Sequence, residues 1–311
     1  MTDFERVQFG DSFLFLGDAF DILGTLEDGL IDQVISDPPY ASQTFGGRCT
    51  DCSWDVPIDL TKFWRLVESK TKPSANVVLF GNMRFAYDLI NTNLRGFRYD
   101  LVWAKNNRTN FLNANLRPLS AHENIMVFGK AGNMAAATYN PVKTSGTRVR
   151  VNRVKARKSG GVYPAGEAHT SISDGMTYPI SILAVDHDRG NGQGLHPTQK
   201  PLNLVGYLIA TYSNPGDMIL DAFAGSATTG LAAMKLGRRF ICIERERSYF
   251  DIARQRLTEA YQRRTARRIT LLSFPVDASN ADPTATAEPI AVNDSTAETT
   301  ELGDEQTTQE I

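Results

Sequence analysis

Two short segments of this 311-residue chain carry residue types whose spacing could do chemistry. The first is Asp37-Pro38-Pro39-Tyr40, directly after the apolar run Val34 to Ser36. Two consecutive prolines remove two backbone donors and hold the preceding residues extended, so the chain leaves its strand there with free carbonyls. The Asp37 carboxylate and the Pro38 carbonyl then offer two acceptors close together, and Tyr40 adds a flat ring. A planar amino group with two hydrogens fits the acceptors, while the heterocycle bearing it can stack on the ring. The plain alternative is a proline turn with an exposed acid, yet chance gives this tetrapeptide in well under about 1% of chains of this length.

The second segment runs from Asp217 through Asp221, Phe223, Gly225, Ser226 and Thr228 to Gly230. It reads as a buried strand, a glycine turn and an amphipathic helix, which sets backbone N–H groups and a helix N-terminus at a sheet edge, where an anion is favoured. A phosphate-binding P-loop would need Lys and then Ser or Thr after Gly230, where Leu231 and Ala232 stand. A dinucleotide fingerprint would want Gly at Ala227. The carboxylate of a bound amino acid remains a suitable guest. Glu244 closes the next strand about 20 residues on, where an acid accepts from two ribose hydroxyls. A ligand with both a ribose and an amino-acid carboxylate is S-adenosylmethionine. Against this stands a glycine turn that only packs its helix on its strand.

Positioning both segments takes a sheet whose strands end on one edge. Apolar periodicity gives strands at Phe13 to Gly17, Gln33 to Ser36, Asn76 to Gly81, Arg98 to Ala104, Asn124 to Gly129, Met218 to Phe223 and Arg239 to Glu244. Helices are expected over Asp59 to Ser69, Arg84 to Asn93, Leu202 to Tyr212, Thr228 to Leu236 and Arg247 to Arg264. Strand alternating with helix predicts an α/β, doubly wound, mostly parallel sheet. The rhythm stops between residues 131 and 195, which reads as an inserted subdomain, with Asp186 to Gly194 a flexible joint.

Composition narrows the class. With 24 glycines, 14 prolines, 41% hydrophobic and 22% charged residues, the chain is neither collagenous, coiled coil nor wholly disordered. No apolar run approaches the roughly 18 residues of a spanning helix, and the acidic opening is unlike a signal peptide, so no membrane partner and a cytoplasmic location are expected. Cys49 and Cys52 have metal-ligand spacing but no matching second pair, and Cys242 sits in an apolar run, so no metal is expected. Nine acids and no base follow Phe274, leaving the first 274 residues with 33 basic against 26 acidic groups. Residues 271–311 are expected to be a disordered acidic tail. Lys143, Arg148, Arg150, Arg153, Lys155, Arg157 and Lys158 form a run of seven cations without an acid, which suits phosphate contact, although a run of this kind can also be mere solvated surface.

Taken together, these segments resemble the amino-group DNA methyltransferases. The order Asp37-Pro38-Pro39-Tyr40 first, basic insert next and glycine loop last resembles the circularly permuted beta class, over roughly residues 11 to 260. The resemblance implies a seven-stranded sheet in the order 3-2-1-4-5-7-6, with 124–129 antiparallel beside 98–104. It assigns residues 1–130 to a catalytic part, 131–195 to DNA target recognition and 196–270 to a cofactor-binding part. It places Asp18 on the cofactor adenine, and Thr198 and Lys200 of His196-Pro-Thr-Gln-Lys-Pro201 on its methionine side. Asp18 taken alone is equally a helix N-cap. Ala222 and Ala227 replace the family's usual proline and second glycine, and alanine at 227 calls for a negative φ. Trp103, Lys105, His122 and Glu123 read as edge-strand packing, a solvated charge and the start of a strand.

The implied reaction moves a methyl group from S-adenosylmethionine to the 6-amino group of adenine in double-stranded DNA. Asp37 and Pro38 would accept the amino hydrogens, and Tyr40 would stack on the flipped base. Alternatives are cytosine 4-amino methylation, methylation of RNA or a protein glutamine, and a DNA-binding decoy without catalysis. A restriction partner and a homodimer are compatible with this reading, and the host would be bacterial or a phage-infected cell.

Overall fold

The computed structural model describes residues 4–46, 52, 54–130, 136–146, 151–156, 165–187 and 199–273. The compact unit that carries the site falls within Met1–Arg267. The last helix runs on to Ser273, so the first three residues of the tail expected over 271–311 are helical, and the rest of it, with most of the 186–194 joint, lies outside the described residues.

The chain opens with a hairpin, β1 (Arg6–Phe9) and β2 (Ser12–Leu16), then α1 (Ala19–Thr25) and β3 (Ile31–Ser36). Next come α2 (Leu60–Lys70), β4 (Thr71–Gly81), α3 (Met83–Thr92), β5 (Phe97–Thr109) and β6 (Ser120–Gly129). Five short strands follow: β7 (Thr144–Ser145), β8 (Val151–Val154), β9 (His169–Ile172), β10 (Met176–Thr177) and β11 (Ile182–Ala184). The rest is α4 (Leu202–Tyr212), β12 (Met218–Asp221), α5 (Thr228–Lys235), β13 (Arg239–Glu244) and α6 (Arg247–Ser273).

The large sheet has the order β1-β2-β13-β12-β3-β4-β6-β5-β11. Neighbours from β2 through β4 are parallel, while β6 runs antiparallel to both β4 and β5. Counted from β12, the seven central strands take the expected 3-2-1-4-5-7-6 order. β1 and β11 extend the two edges. β11 joins β5 in parallel register although it lies within the stretch 131–195, because three residues sufficed where the periodicity was too short to register as a strand. Elsewhere in that stretch β7 pairs β10 and β8 pairs β9, apart from the large sheet.

Two apolar clusters cover the two faces. Leu204, Leu208 and Ile209 of α4, Ala232 and Ala233 of α5, and Phe250, Ala253 and Leu257 of α6 pack on one. Ile22 and Leu23 of α1, Phe63, Trp64 and Val67 of α2, and Phe85 and Leu89 of α3 pack on the other. All six residues of β3 are buried, as expected of a strand covered on both sides. The helix after β3 therefore lies on one face and the helix after β12 on the other. Adjacent strands whose connections diverge in this way open a crevice at their carboxyl ends, where ligands of open α/β sheets bind.

β12 ends at Asp221, two residues short of the expected Phe223. Its ladder stops because the Ala222 N–H donates to the Ser36 hydroxyl (2.9 Å) and the Phe223 N–H to Asp221 Oδ1 (3.1 Å). Gly230 lets α5 sit close on the sheet: a side-chain carbon there would stand 3.1 Å from both Cys242 Sγ and Leu257 Cδ2. Cys242 is fully buried, as its apolar surroundings suggested.

Candidate active site

The crevice is a cavity of about 470 Å³ whose walls include Asp18, Asp37, Tyr40, Phe223, Gly225 and Glu244. Asp37-Pro38-Pro39-Tyr40 leaves the carboxyl end of β3 and the glycine loop leaves β12, so neighbouring parallel strands deliver both segments to one place. Ser36 ties them together: its hydroxyl donates to Asp221 Oδ1 (2.8 Å) while accepting from the Ala222 N–H.

On the glycine-loop side, Glu244 Oε2 accepts from the Gly225 N–H (2.7 Å) and Oε1 from the Glu246 N–H (2.8 Å). The Arg245 backbone N–H also faces the carboxylate, which still has acceptor capacity for a further donor. Burial, helped by the nearby Asp221 carboxyl, pushes the Glu244 carboxyl up to about 7 in spite of the backbone N–H groups of Glu246, Gly225 and Arg245. Burial likewise raises Asp221, to about 6, with Thr229 and Ser36 opposing it. The Ser226 hydroxyl donates to Gln199 Oε1 (3.1 Å), and the Arg256 guanidinium donates to the Ser226 carbonyl. At the start of α5 the Thr228 hydroxyl is buried in the cavity wall with no hydrogen-bond partner. Buried hydroxyls are normally satisfied, so this one fits a site made for a polar ligand. Asp18 accepts from the Phe20 N–H (2.8 Å) and the Asp21 N–H (3.3 Å), capping α1 at the same wall.

Ala227 departs from the sequence expectation. It has φ 57° and ψ 41°, a left-handed conformation, where a negative φ was called for. The turn requires it: the Ala227 N–H donates to the Ala224 carbonyl (2.8 Å), and the Ala227 carbonyl accepts from the Leu231 N–H (3.1 Å), opening α5. The alanine methyl is fully buried.

On the Asp37 side, the loop after β3, the approach to α4, and β5, β6 and α3 converge. The Tyr40 hydroxyl donates to Asp37 Oδ1 (2.5 Å), and the Lys200 ammonium donates to Asp37 Oδ2. Glu123 of β6 accepts from Lys105 of β5 at 2.9 Å and lies 3.4 Å from both Lys200 Nζ and the Tyr40 hydroxyl. Phe85 stacks on Tyr40 at 5.7 Å between ring centres. Burial raises the Asp37 carboxyl and Lys200 opposes that, while Glu123, also pushed up by burial, is brought below its ordinary value by Lys200 and Lys105. Burial would lower Lys200, but Asp37 and Glu123 hold it above the usual lysine range.

The structure thus brings together Asp18, Asp37, Pro38, Pro39, Tyr40, Lys200, Asp221, Phe223, Gly225, Ser226, Thr228 and Glu244 around one cavity. Thr198 lies outside the described residues, as do Cys49, Arg148, Arg150, Arg157 and Lys158. Lys200, expected beside the cofactor, directs its ammonium group to Asp37 and Glu123. Lys105 is not a solvated charge, since its side chain is 5% exposed and paired with Glu123. Glu123 was missed as a site residue, although opposite charges on adjoining strands that end beside Asp37 were the available signal. Trp103 is fully buried and donates to the Val185 carbonyl (2.8 Å). Of the basic run, Arg153 and Lys155 are exposed, whereas Lys143 is paired with Asp174 (2.8 Å) and lies over the Tyr178 ring.

Among the described residues no helix is long and apolar enough to cross a membrane, and no group of three or more His, Cys, Asp or Glu could hold a metal ion. Comparison with known proteins gives the geometry a family. The type II methyltransferase M.HinfI of Haemophilus influenzae is 30% identical over 265 residues, covering 78% of this chain and 67% of that protein. The type II methyltransferase M2.DpnII of Streptococcus pneumoniae is 27% identical over 259 residues, covering 77% of this chain and 87% of its own. Among solved structures, the M1.HpyAVI–SAM complex matches with a TM-score of 0.50 at 27% identity, over 78% of this chain and 98% of that one. The cytosine-N4-specific PvuII DNA methyltransferase matches in fold, with a TM-score of 0.56 at 18% identity over 84% and 96% of the two chains. The DNA methylase family of the N6/N4 type matches residues 31–255, and the chain belongs to that family.

Proposed function

We propose that this protein methylates the exocyclic 6-amino group of adenine in double-stranded DNA, with S-adenosylmethionine as methyl donor. The observation that carries this reading is the meeting of the Asp37 carboxylate and the Gly225–Glu244 loop in one cavity. The M1.HpyAVI structure, which contains SAM, supports the choice of donor, and the type II methyltransferases M.HinfI and M2.DpnII, both from bacteria, support the transfer of a methyl group.

Glu244 keeps acceptor capacity that suits the ribose hydroxyls, with Asp18 and Phe223 at the adenosine end. The Thr228 hydroxyl, Ser226 and the first N–H groups of α5 suit the amino-acid carboxylate. Bound S-adenosylmethionine supplies an electrophilic methyl group on a sulfonium. The amino nitrogen of adenine is a poor nucleophile because its lone pair is spread into the ring. Asp37 and the Pro38 carbonyl accept its two hydrogens and draw it toward tetrahedral geometry, which frees that lone pair. Asp37, held as a carboxylate by Lys200, then has a lone pair for the proton that must leave the nitrogen. The target must first be swung out of the duplex, and the Tyr40 ring offers it a stacking surface. Residues 131–195, with Arg153 and Lys155 exposed, serve as the recognition part that grips phosphate.

The test is to incubate the full chain with DNA and isotopically labelled S-adenosylmethionine, digest to nucleosides and weigh them. Labelled 6-methyladenine is expected. Labelled 4-methylcytosine alone would overturn the adenine assignment. Cofactor binding by calorimetry without any transfer would favour the decoy.

A further inference from the structure

The charged cluster behind Asp37 has more members than the reaction above uses. Both Asp37 oxygens are engaged, Oδ1 by the Tyr40 hydroxyl and Oδ2 by Lys200. A target amino group needs one of them. Glu123 Oε2 lies 3.4 Å from each of the two groups that now hold Asp37, and Lys105 fixes its other oxygen at 2.9 Å. The Lys105 and Lys200 side chains are only 5% and 8% exposed, so water is a poor substitute partner and each ammonium must keep a carboxylate.

We propose that Lys200 is a positioning residue with two carboxylate berths: it closes on Asp37 in the free enzyme and steps onto Glu123 when the target amino group takes its place. This rests on the reading of Asp37 as the amino-group acceptor. Drawing Lys200 Nζ from 3.4 Å to an ordinary ion-pair hydrogen bond is a shift of under about 1 Å, within reach of a flexible four-carbon stem. Asp37, Glu123, Lys105 and Lys200 sum to zero charge before and after the step, so no buried ion is stranded. Lys200 also keeps Asp37 an acceptor. A protonated Asp37 would present a hydroxyl donor to an amino group that must itself donate.

The charged and titratable groups facing Asp37 are Lys200 ahead of α4, Glu123 on β6, Tyr40 on its own loop and Asp221 at the end of β12. Lys200 lowers the Asp37 carboxyl and Glu123 raises it, so removing each should act in opposite directions on pH dependence.

Single-turnover transfer to duplex DNA carrying the protein's own site, with saturating S-adenosylmethionine, would be followed from about pH 5.5 to about pH 9. For Lys200→Met the acid limb should move up by about one unit, a tenfold loss at low pH that recovers as pH rises. For Glu123→Gln the limb should move down while the plateau falls about tenfold, because a neutral amide is the poorer berth for Lys200. Lys200→Arg, which keeps the charge, should keep the wild-type limb. An equal loss at every pH in Lys200→Met, or a wild-type plateau in Glu123→Gln, overturns the proposal. If Lys200→Met fails to fold by thermal melt, the Glu123→Gln plateau decides alone. No transfer by the wild-type protein would instead sink the methyltransferase reading.

Discussion

The two walls of the cavity are built by different physical means. The glycine-loop wall comes from the backbone of adjacent parallel strands: the Ala224 N–H donates to the Ile243 carbonyl (2.9 Å), and the Gly225 N–H reaches Glu244 only 19 residues away. The Asp37 wall is made of charged side chains drawn from distant parts of the chain. Lys200 lies 163 residues from Asp37, and Glu123 lies 83 from Tyr40. A wall of backbone groups takes its geometry from the sheet. One made of buried ions depends on its charge balance, and loses its chemistry when one partner is removed or protonated.

The largest separation of the two walls should come from Asp37→Ala. Turnover should fall by on the order of 10³-fold or more, the scale of removing a proton acceptor and an aimed dipole together. Cofactor affinity by calorimetry should stay close to wild type, because no glycine-loop group bonds to Asp37. A parallel collapse of affinity would show that the walls are one unit.

Ser36 is the place where they are stitched. Ser36→Ala removes the donor to Asp221 and the acceptor for the Ala222 N–H, and should cost about 1–3 kcal/mol of stability for those buried groups. Cofactor binding and transfer should both decline, and thermal melts beside calorimetry would measure this. A loss confined to transfer would mean that the loop keeps its shape without the stitch.

The first wall was the more legible in sequence for the same reason that it is rigid. A strand, a glycine turn, a helix and an acid about 20 residues on are all local signals, and the strand order followed from the resemblance they supported. Asp37 and Tyr40 were legible as a tetrapeptide. Their partners were not, because nothing local to Glu123 or Lys105 distinguishes a buried ion pair from a surface charge until β5 and β6 are laid side by side. β1 escaped notice because only Phe9 of its four residues is buried, unlike the continuous buried run of β3, and α1 and β11 because seven and three residues are too few to establish a period. Ala227 was legible as a departure, but its sign was not, because a turn of this kind sets φ whatever the side chain.

pH should move the glycine-loop wall by a smaller amount. On the proposed reading, ribose hydroxyls would donate to an ionised Glu244, so the bound state would favour the carboxylate. With the free-state carboxyl up at about 7, affinity for S-adenosylmethionine should be flat above that value and weaken toward tenfold per unit below it. Calorimetry at pH 8, 7 and 6 would follow the decline, and Glu244→Gln should flatten it. Asp37→Ala should leave the profile in place, and a profile abolished by that change would mean that Asp37, not Glu244, governs it.

The smallest effect is expected at Ala227, where opposing contributions nearly cancel. Glycine would relieve roughly 1–2 kcal/mol of left-handed strain. It would add unfolded-state freedom worth about 0.4–1 kcal/mol, and it would forfeit a buried methyl group worth about 0.8 kcal/mol. Ala227→Gly should therefore change stability by less than about 1 kcal/mol in either direction, a shift of only a few degrees in thermal melting. The N–H groups of the loop keep their directions in both residues, so cofactor affinity should be unchanged. A several-fold gain in affinity for the glycine variant would mean that the alanine holds the loop away from its binding shape, and the backbone wall would then be less rigid than its hydrogen bonds imply.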